Sequence, residues 1–268
     1  MNFGLIIIGD EILSGKRADK HLPKVIELLD ARGLALSWAR YVGDDRARIT
    51  ADLEFAFASG DVVFSCGGIG ATPDDHTRQC AAAALGVPLA LHAQAHDLVF
   101  ERMRGVAREQ GKAFDPDRED NRHRLNMAVF PEGAEIIPNP YNKIAGFAVR
   151  RGAGGIFFVP GFPVMAWPMI EWVLDTHFRH LHATSATRER SVIVFGAMEA
   201  ALTPLMEAIE AEFPTVKVFS LPSVDHPEYG RHIELGVKGD GGSLAAAFAR
   251  LVDGLKKHGA GLGPELVR

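Results

Sequence analysis

Six carboxylates stand where chemistry is possible. Asp10 and Glu11 lie in Gly9-Asp10-Glu11-Ile12-Leu13-Ser14-Gly15-Lys16, Asp44 and Asp45 in Val42-Gly43-Asp44-Asp45, and Asp74 and Asp75 close Cys66-Gly67-Gly68-Ile69-Gly70-Ala71-Thr72-Pro73-Asp74-Asp75. Carboxylate oxygens are the donors that Mg²⁺ and similar hard cations take. In the third stretch Gly67, Gly68 and Gly70 lack a Cβ, so the backbone can turn sharply and offer N–H groups to an anion. A phosphate bound there would be repelled by its acidic neighbours unless a divalent cation bridges them or a positive side chain compensates, and Lys16 is the candidate on the first loop. The expected ligand is a small molecule carrying phosphate, with Mg²⁺, Mn²⁺ or Co²⁺ beside it. The plain alternative for each aspartate is a turn or a solvated loop, and for Asp74 and Asp75 the capping of a helix.

These stretches need elements to position them. Phe3-Gly4-Leu5-Ile6-Ile7-Ile8 is a continuous apolar run, the pattern of a strand covered on both faces in a parallel sheet. Leu22, Val25, Ile26 and Leu29 then recur at helical spacing until Gly33. A second strand is expected over 34–41, a helix through Ile49, Leu53 and Phe57, and a third strand over 61–66. Each of the three strands ends in one of the acidic or glycine loops. In open α/β sheets the ligand crevice lies outside the carboxyl ends of the strands, so the loops can converge there. A helix is expected to start at Thr72, with Thr72 as N-cap, Pro73 in the first position, Asp75 at capping-box spacing and Gly86 as its stop.

Further on, a helix is expected over 93–110, then a solvated charged loop, Asp115 to Arg124, entering a helix through Leu125 and Met127. Arg122 and Arg124 offer anion steering there. Short strands follow around Ile136-Ile137, Gly146 to Val149 and Ile156 to Val159. Pro160-Gly161-Phe162-Pro163 then forms a rigid crevice wall ahead of a helix carrying Trp167, Ile170, Val173 and Leu174. Gly15-Lys16-Arg17 has the wrong spacing from Gly9, and no Ser or Thr, for a Walker A loop, and Gly67, Gly68 and Gly70 do not make GxGxxG. P-loop NTPases and Rossmann dehydrogenases are not indicated.

The 268 residues suffice for two domains, and 47% hydrophobic with 24% charged residues is an ordinary globular composition. A net charge of −5 gives no support to a nucleic-acid partner. Cys66 and Cys80 make neither a disulfide framework nor a zinc site, and no signal peptide or membrane-spanning run is present, so a cytoplasmic protein is expected. The division expected is a first domain over 1–180, a linker over 181–190, a small α+β domain over 191–258 and a tail over 259–268. Gly236-Val237-Lys238-Gly239 fits the GxxG of a nucleic-acid clamp but leaves a strand, so a turn is expected, and His226 and His232 are expected to cap turns or sit at the surface.

The first 178 or so residues resemble the molybdopterin-binding (MoCF, MoaB/MogA-like) family, in the version at the N-terminus of CinA chains and in the similar domain of FAD synthase. The matching pieces occur in family order: Gly9-Asp10-Glu11-Ile12-Leu13-x-Gly15, Val42-Gly43-Asp44-Asp45, Gly67 to Asp75 with Thr77, Pro131-Glu132-Gly133-Ala134, Asn139-Pro140, Gly146-Phe147 and Pro160-Gly161-Phe162-Pro163. The resemblance implies a three-layer α/β sandwich with a mostly parallel sheet, followed by a KH-like second domain, and no room for the deamidase domain of full-length CinA chains. It places pterin or nucleotide phosphate on Gly67, Gly68, Gly70 and Thr72, with Lys16, Pro160 and Gly161 as further ligand contacts. Asp44 and Asp75 become the catalytic acidic pair, and Asp10, Glu11, Asp44 and Asp75 the metal ligands. The activity implied is metal-dependent hydrolysis of a dinucleotide-type pyrophosphate of the ADP-ribose or FAD class. A role in molybdenum-cofactor assembly, with molybdopterin as ligand, and a non-catalytic nucleotide or pterin sensor stay open, and a homo-oligomer, dimer or trimer, is expected. Lys16-Arg17-Ala18-Asp19-Lys20 departs from the Thr-Asn pair common in CinA chains, and Ala71 replaces a common proline.

Overall fold

The computed structural model describes residues 1–182, 188–239 and 241–267. The chain divides into two compact units, Met1–His182 and Ala183–Arg268.

The first unit is built on a six-stranded sheet. Its strands β1 (Phe3–Ile8), β2 (Leu36–Val42), β3 (Val62–Cys66), β6 (Glu135–Ile137), β7 (Gly146–Arg151) and β8 (Gly154–Val159) lie in the order β2-β1-β3-β8-β7-β6. β2, β1, β3 and β8 run parallel to one another, and β7 is antiparallel to both of its neighbours. Every residue of β1 is buried because alternate side chains feed two cores. Leu5 and Ile7 pack with α2 (His21–Asp30) and α7 (Pro163–His177), while Ile6 and Ile8 pack with α3 (Arg46–Ser59), α4 (Thr77–Leu85) and α5 (Ala93–Glu109). Helices on both faces make the expected three-layer α/β sandwich. A stacked row of Phe130, Phe147 and Phe158, with centroids 4.8 and 4.2 Å apart, ties β5 (Val129–Pro131) to the sheet. The short strand β4 (Leu89–Leu91) pairs with β5 apart from the main sheet.

The first acidic loop contains one helical turn, α1 (Asp10–Leu13). The charged stretch after α5 is an exposed loop over 115–118 and turns helical earlier than expected, in α6 (Glu119–Leu125), with Glu119 and Asp120 in its first turn and Arg122, His123 and Arg124 in its last. That charge order follows the helix dipole. Arg122 pairs with Asp117 at 3.5 Å and Arg124 with Asp120 at 3.6 Å.

In the second unit, β9 (Arg188–Phe195), β10 (Val216–His226), β11 (Gly230–Gly239) and β12 (Gly261–Val267) form an antiparallel sheet in the order β10-β11-β9-β12, with α8 (Glu199–Glu212) and α9 (Gly241–Lys257) as its helices. Val192, Val194, Leu235 and Val237 bury one face of it against Leu205 and Ile209 of α8 and Phe248 and Leu251 of α9. Three expectations are corrected here. The tail is strand β12, paired with β9. Residues 188–190, assigned to the linker, begin β9, whereas 183–187 lie outside the described residues. The GxxG segment is no turn but the end of β11, where a Cβ on Gly236 would stand 2.4 Å from the Phe219 ring. His226 does cap a turn: its Nδ1 accepts from the N–H groups of Glu228 and Tyr229, each at 3.2 Å. No helix among the described residues is long and apolar enough to cross a membrane.

Candidate functional site

A cavity of about 590 Å³ opens at the carboxyl ends of β1, β2, β3 and β8. Gly67, Gly68, Ile69, Gly70, Ala71 and Thr72 form one wall. Gly67 and Gly68 have φ of 109° and 69°, in the left-handed region that side chains avoid. A Cβ on Gly67 would stand 2.3 Å from the Ile8 carbonyl oxygen, and one on Gly68 2.2 Å from Thr77 Oγ1. This packing holds the turn tightly over β1 and the start of α4.

Four successive carbonyls of the loop are tied down on the side of α4. Thr77 Oγ1 donates to Gly67 O at 3.1 Å and Thr77 N to Gly68 O at 3.0 Å. The buried Arg78 guanidinium donates to Ile69 O at 3.1 Å and to Gly70 O at 2.7 Å. In a trans peptide the N–H of the next residue points opposite to the carbonyl. The N–H groups of Gly68, Ile69, Gly70 and Ala71 therefore point away from α4, and among the described residues they have no protein acceptor. A run of free N–H donors in a glycine turn is the raw material of an anion-binding nest. Burial pulls the Arg78 pKa down and the Asp75 carboxylate pushes it back up. Its fixed positive charge lies beneath the nest.

The next turn corrects the expected helix start. Asp75 Oδ2 accepts from Thr72 N at 2.8 Å and from the Thr72 hydroxyl, and Asp75 N donates to Thr72 O at 3.1 Å. Thr72 and Asp75 thus close a turn at capping-box spacing, while α4 begins at Thr77 with His76 as an N-cap that makes no side-chain bond. The loop carbonyls take the place of a cap, because they need Thr77 and Arg78 at the helix's first turn. Gly86 ends the helix with φ 68° as expected.

Asp10 and Asp44 face each other across two loops: Asp10 N donates to Asp44 Oδ2 at 2.9 Å and Asp44 N to Asp10 Oδ1 at 3.1 Å. Glu11, Asp44, Asp74 and Asp75 line the cavity, but Asp10 does not. The Asp44 pKa is raised by burial, with the bond from the Asp10 N–H opposing and the carboxylates of Asp10, Glu11 and Asp74 adding to the rise. Asp45 does the plain work of an N-cap, accepting from Arg48 N at 2.9 Å. Lys16 is exposed and away from the cavity, and Arg17 lines it instead. Pro160, Gly161 and Phe162 form the wall at the end of β8. Gly161 O is fixed by His21 Nε2 at 2.9 Å. His21 stands at the start of α2, where Asp19 accepts from His21 N at 2.7 Å and from the Tyr41 hydroxyl at 2.8 Å. Burial and that bond push the Tyr41 pKa up to about 12.

A family model described as "Probable molybdopterin binding domain" matches residues 4–180. The chain belongs to this family. It is 37% identical over 175 residues to a CinA-like protein of Anaeromyxobacter sp. strain K, covering 65% of this chain and 40% of that one. A CinA-like protein of Citrifermentans bemidjiense is 32% identical over 218 residues, 81% of this chain and 50% of the relative. A match of 218 residues runs past residue 180 into the second unit. The chain spans half or less of the length of these curated relatives. The crystal structure of a CinA protein of unknown function from Thermoplasma acidophilum shares the fold, with a TM-score of 0.56 at 24% identity, covering 65% of this chain and 98% of that one.

Within this molybdopterin-binding domain the four carboxylates expected to hold a metal are spread over three loops. Among the described residues no three His, Cys, Asp or Glu side chains gather as a metal-holding group. Asp10 is turned onto the backbone of Asp44, and Asp75 is held by Thr72 on a different loop. The residues do not fit a closed protein cage. They fit the other way of holding Mg²⁺, by one or two carboxylates together with ligand phosphate oxygens. Arg78 was not legible as a site residue; its signal is a charge in the first turn of a helix that leaves a glycine loop. Met127, Asn139, Asn142, Ile144, Ala145 and Met165 complete the lining of the cavity.

Proposed function

We propose that this domain binds the phosphate of a nucleotide- or pterin-type ligand and hydrolyses a dinucleotide-type pyrophosphate with the help of a divalent cation. The observation that carries the reading is the row of four free N–H groups from Gly68 to Ala71, backed by the Arg78 charge, on residues that line one cavity with Glu11, Asp44, Asp74 and Asp75. The nest would take phosphoryl oxygens. Glu11 would hold Mg²⁺ against the phosphates, and the metal when bound supplies charge neutralisation and acidifies water. Asp44 is favoured as the group that takes a proton from the attacking water, because its raised pKa makes it a better base than an ordinary aspartate. The water oxygen would bond to one phosphorus as the bridging P–O bond breaks, releasing two phosphomonoesters. Asp75, bound to Thr72, acts as a positioning residue for the loop.

The test is AMP release from ADP-ribose and from FAD with Mg²⁺, Mn²⁺ or Co²⁺, against EDTA. Turnover is expected only with metal, and to fall at least about 100-fold in Asp44→Asn, the scale of losing a general base. Release that is indifferent to both would overturn the reading. The family match favours a second reading, a molybdopterin-binding role in molybdenum-cofactor assembly. Tight binding of a pterin phosphate without hydrolysis would support that one.

A further inference from the structure

The segment between β6 and β7 folds back on itself. Tyr141 N donates to Asn139 Oδ1 at 3.0 Å, Lys143 N to Asn139 O at 3.0 Å, and Asn139 Nδ2 to Asn142 Oδ1 at 2.8 Å and Ile144 O at 3.0 Å. Ile144 N also donates to Asn142 Oδ1 at 3.0 Å. Lys143, with φ 66°, takes a left-handed conformation to complete the loop.

These bonds settle which way the Asn142 amide points. A backbone N–H can only donate, so the atom facing Ile144 N must be the oxygen, and Asn139, whose own oxygen is used by Tyr141, presents its NH₂ to the same atom. The Asn142 NH₂ is left on the other side, where it meets Met165 Sδ at 3.2 Å. A thioether is a weak acceptor. Asn142 and Met165 both line the cavity, so this is a strong donor with a poor partner facing the ligand space.

The sheet order says what would meet it. The cavity edge runs from Asp44 after β2 and Glu11 after β1 to the nest after β3, then Pro160 to Phe162 after β8, then the Asn142 loop beside β7. β3 and β7 are two strand spacings apart, about 10 Å. A ligand with its phosphate on the nest and the rest of its molecule extended toward β7 would meet Phe162, Met127, Ile144 and Met165, the apolar part of the lining and the part suited to a flat ring.

We propose that Asn142 is a specificity-determining residue that donates from Nδ2 to an acceptor atom, a ring nitrogen or carbonyl oxygen, on the edge of the ligand's planar heterocycle. The proposal rests on the phosphate-binding reading of the nest. The test compares pyrophosphate, which has only the phosphate part, with ADP-ribose by isothermal titration, in the native protein and in Asn142→Asp. The aspartate keeps an oxygen for Ile144 and Asn139 and loses the donor.

ADP-ribose affinity is expected to fall at least about tenfold in the variant, the scale of a lost and reversed hydrogen bond. Pyrophosphate affinity should change less than about threefold, since the new charge lies near a screening length from the nest in physiological salt. A second readout needs no variant to fold. The chain has five asparagines, so with asparagine-selective ¹⁵N labelling the side-chain amide pairs are few. The Asn142 pair should shift with ADP-ribose and not with pyrophosphate. Unchanged ADP-ribose affinity in the variant, or an unmoved amide pair, overturns the proposal while pyrophosphate binding keeps the nest reading. Failure of both probes to bind the native protein overturns the nest reading itself and this one with it.

Discussion

Asp44 illustrates a site kept at some cost to stability. It is half-buried beside Asp10, Glu11 and Asp74, and its carboxyl titrates above the ordinary aspartate value. The folded protein therefore holds this proton more tightly than the unfolded chain, and the contribution of Asp44 to stability falls as pH rises from the ordinary value through the raised one. Above the raised pKa the full penalty is present. An asparagine could still accept from Asp10 N with its oxygen but would carry no charge. Asp44→Asn is expected to raise the melting temperature of the ligand-free, metal-free protein at pH 7, by an amount limited by solvent screening of this partly exposed group. The gap from the native protein should close as the pH is lowered through that window. Melting curves across pH with EDTA present decide this: a variant less stable than the native protein at pH 7 would mean that Asp44 is a structural cap and not a charge held for a ligand.

At the scale of elements, the sequence was most readable where one physical demand dominated. β1 is an apolar run because both of its faces are covered, and α7 follows Pro163 at its first position with Ile170, Val173 and Leu174 turned inward. The periodicity in α2 was only partly right, since Ile26 is 47% exposed and Leu28 takes the buried place. α4 was misread because Thr72, Pro73 and Asp75 satisfy capping chemistry locally. Four loop carbonyls compete for the same helix start, and Thr77 and Arg78 answer them, which no local spacing reveals. The acidic loops and the glycine turn were legible as residues that meet at strand ends. Their partners were not: Asp10 on Asp44, and Arg78 under the nest, arise from contacts 34 and 8 to 9 positions apart. The junction gives a prediction of its own. In Arg78→Met a buried carbonyl, Ile69 O, and a part-buried one, Gly70 O, lose their donor, so unfolding in urea should show a loss of about 2–4 kcal/mol, and pyrophosphate binding should weaken at least about tenfold. Tight pyrophosphate binding by this variant would remove the nest from the argument.

Across the whole chain, the two units have separate cores, and β12 shows how the second is closed. Gly261, Gly263 and Pro264 look like the composition of a tail, and that is why the segment was read as one. Proline in a strand is tolerated at an edge, and β12 is an edge strand whose register against β9 shifts between Leu262 and Glu265, around that proline. Arg190 reaches Glu265 at 3.0 Å, and Leu262 packs on the core that holds Val192 and Val194. Removing residues 259–268 would expose one side of β9, the strand between β11 and β12, and leave its N–H and C=O groups on that side to water. The shortened protein is expected to lose amide-exchange protection along β9 and in α9, while β1 and β3 of the first unit keep theirs. A tail would leave exchange in β9 unchanged on deletion, so hydrogen exchange read strand by strand separates the two descriptions.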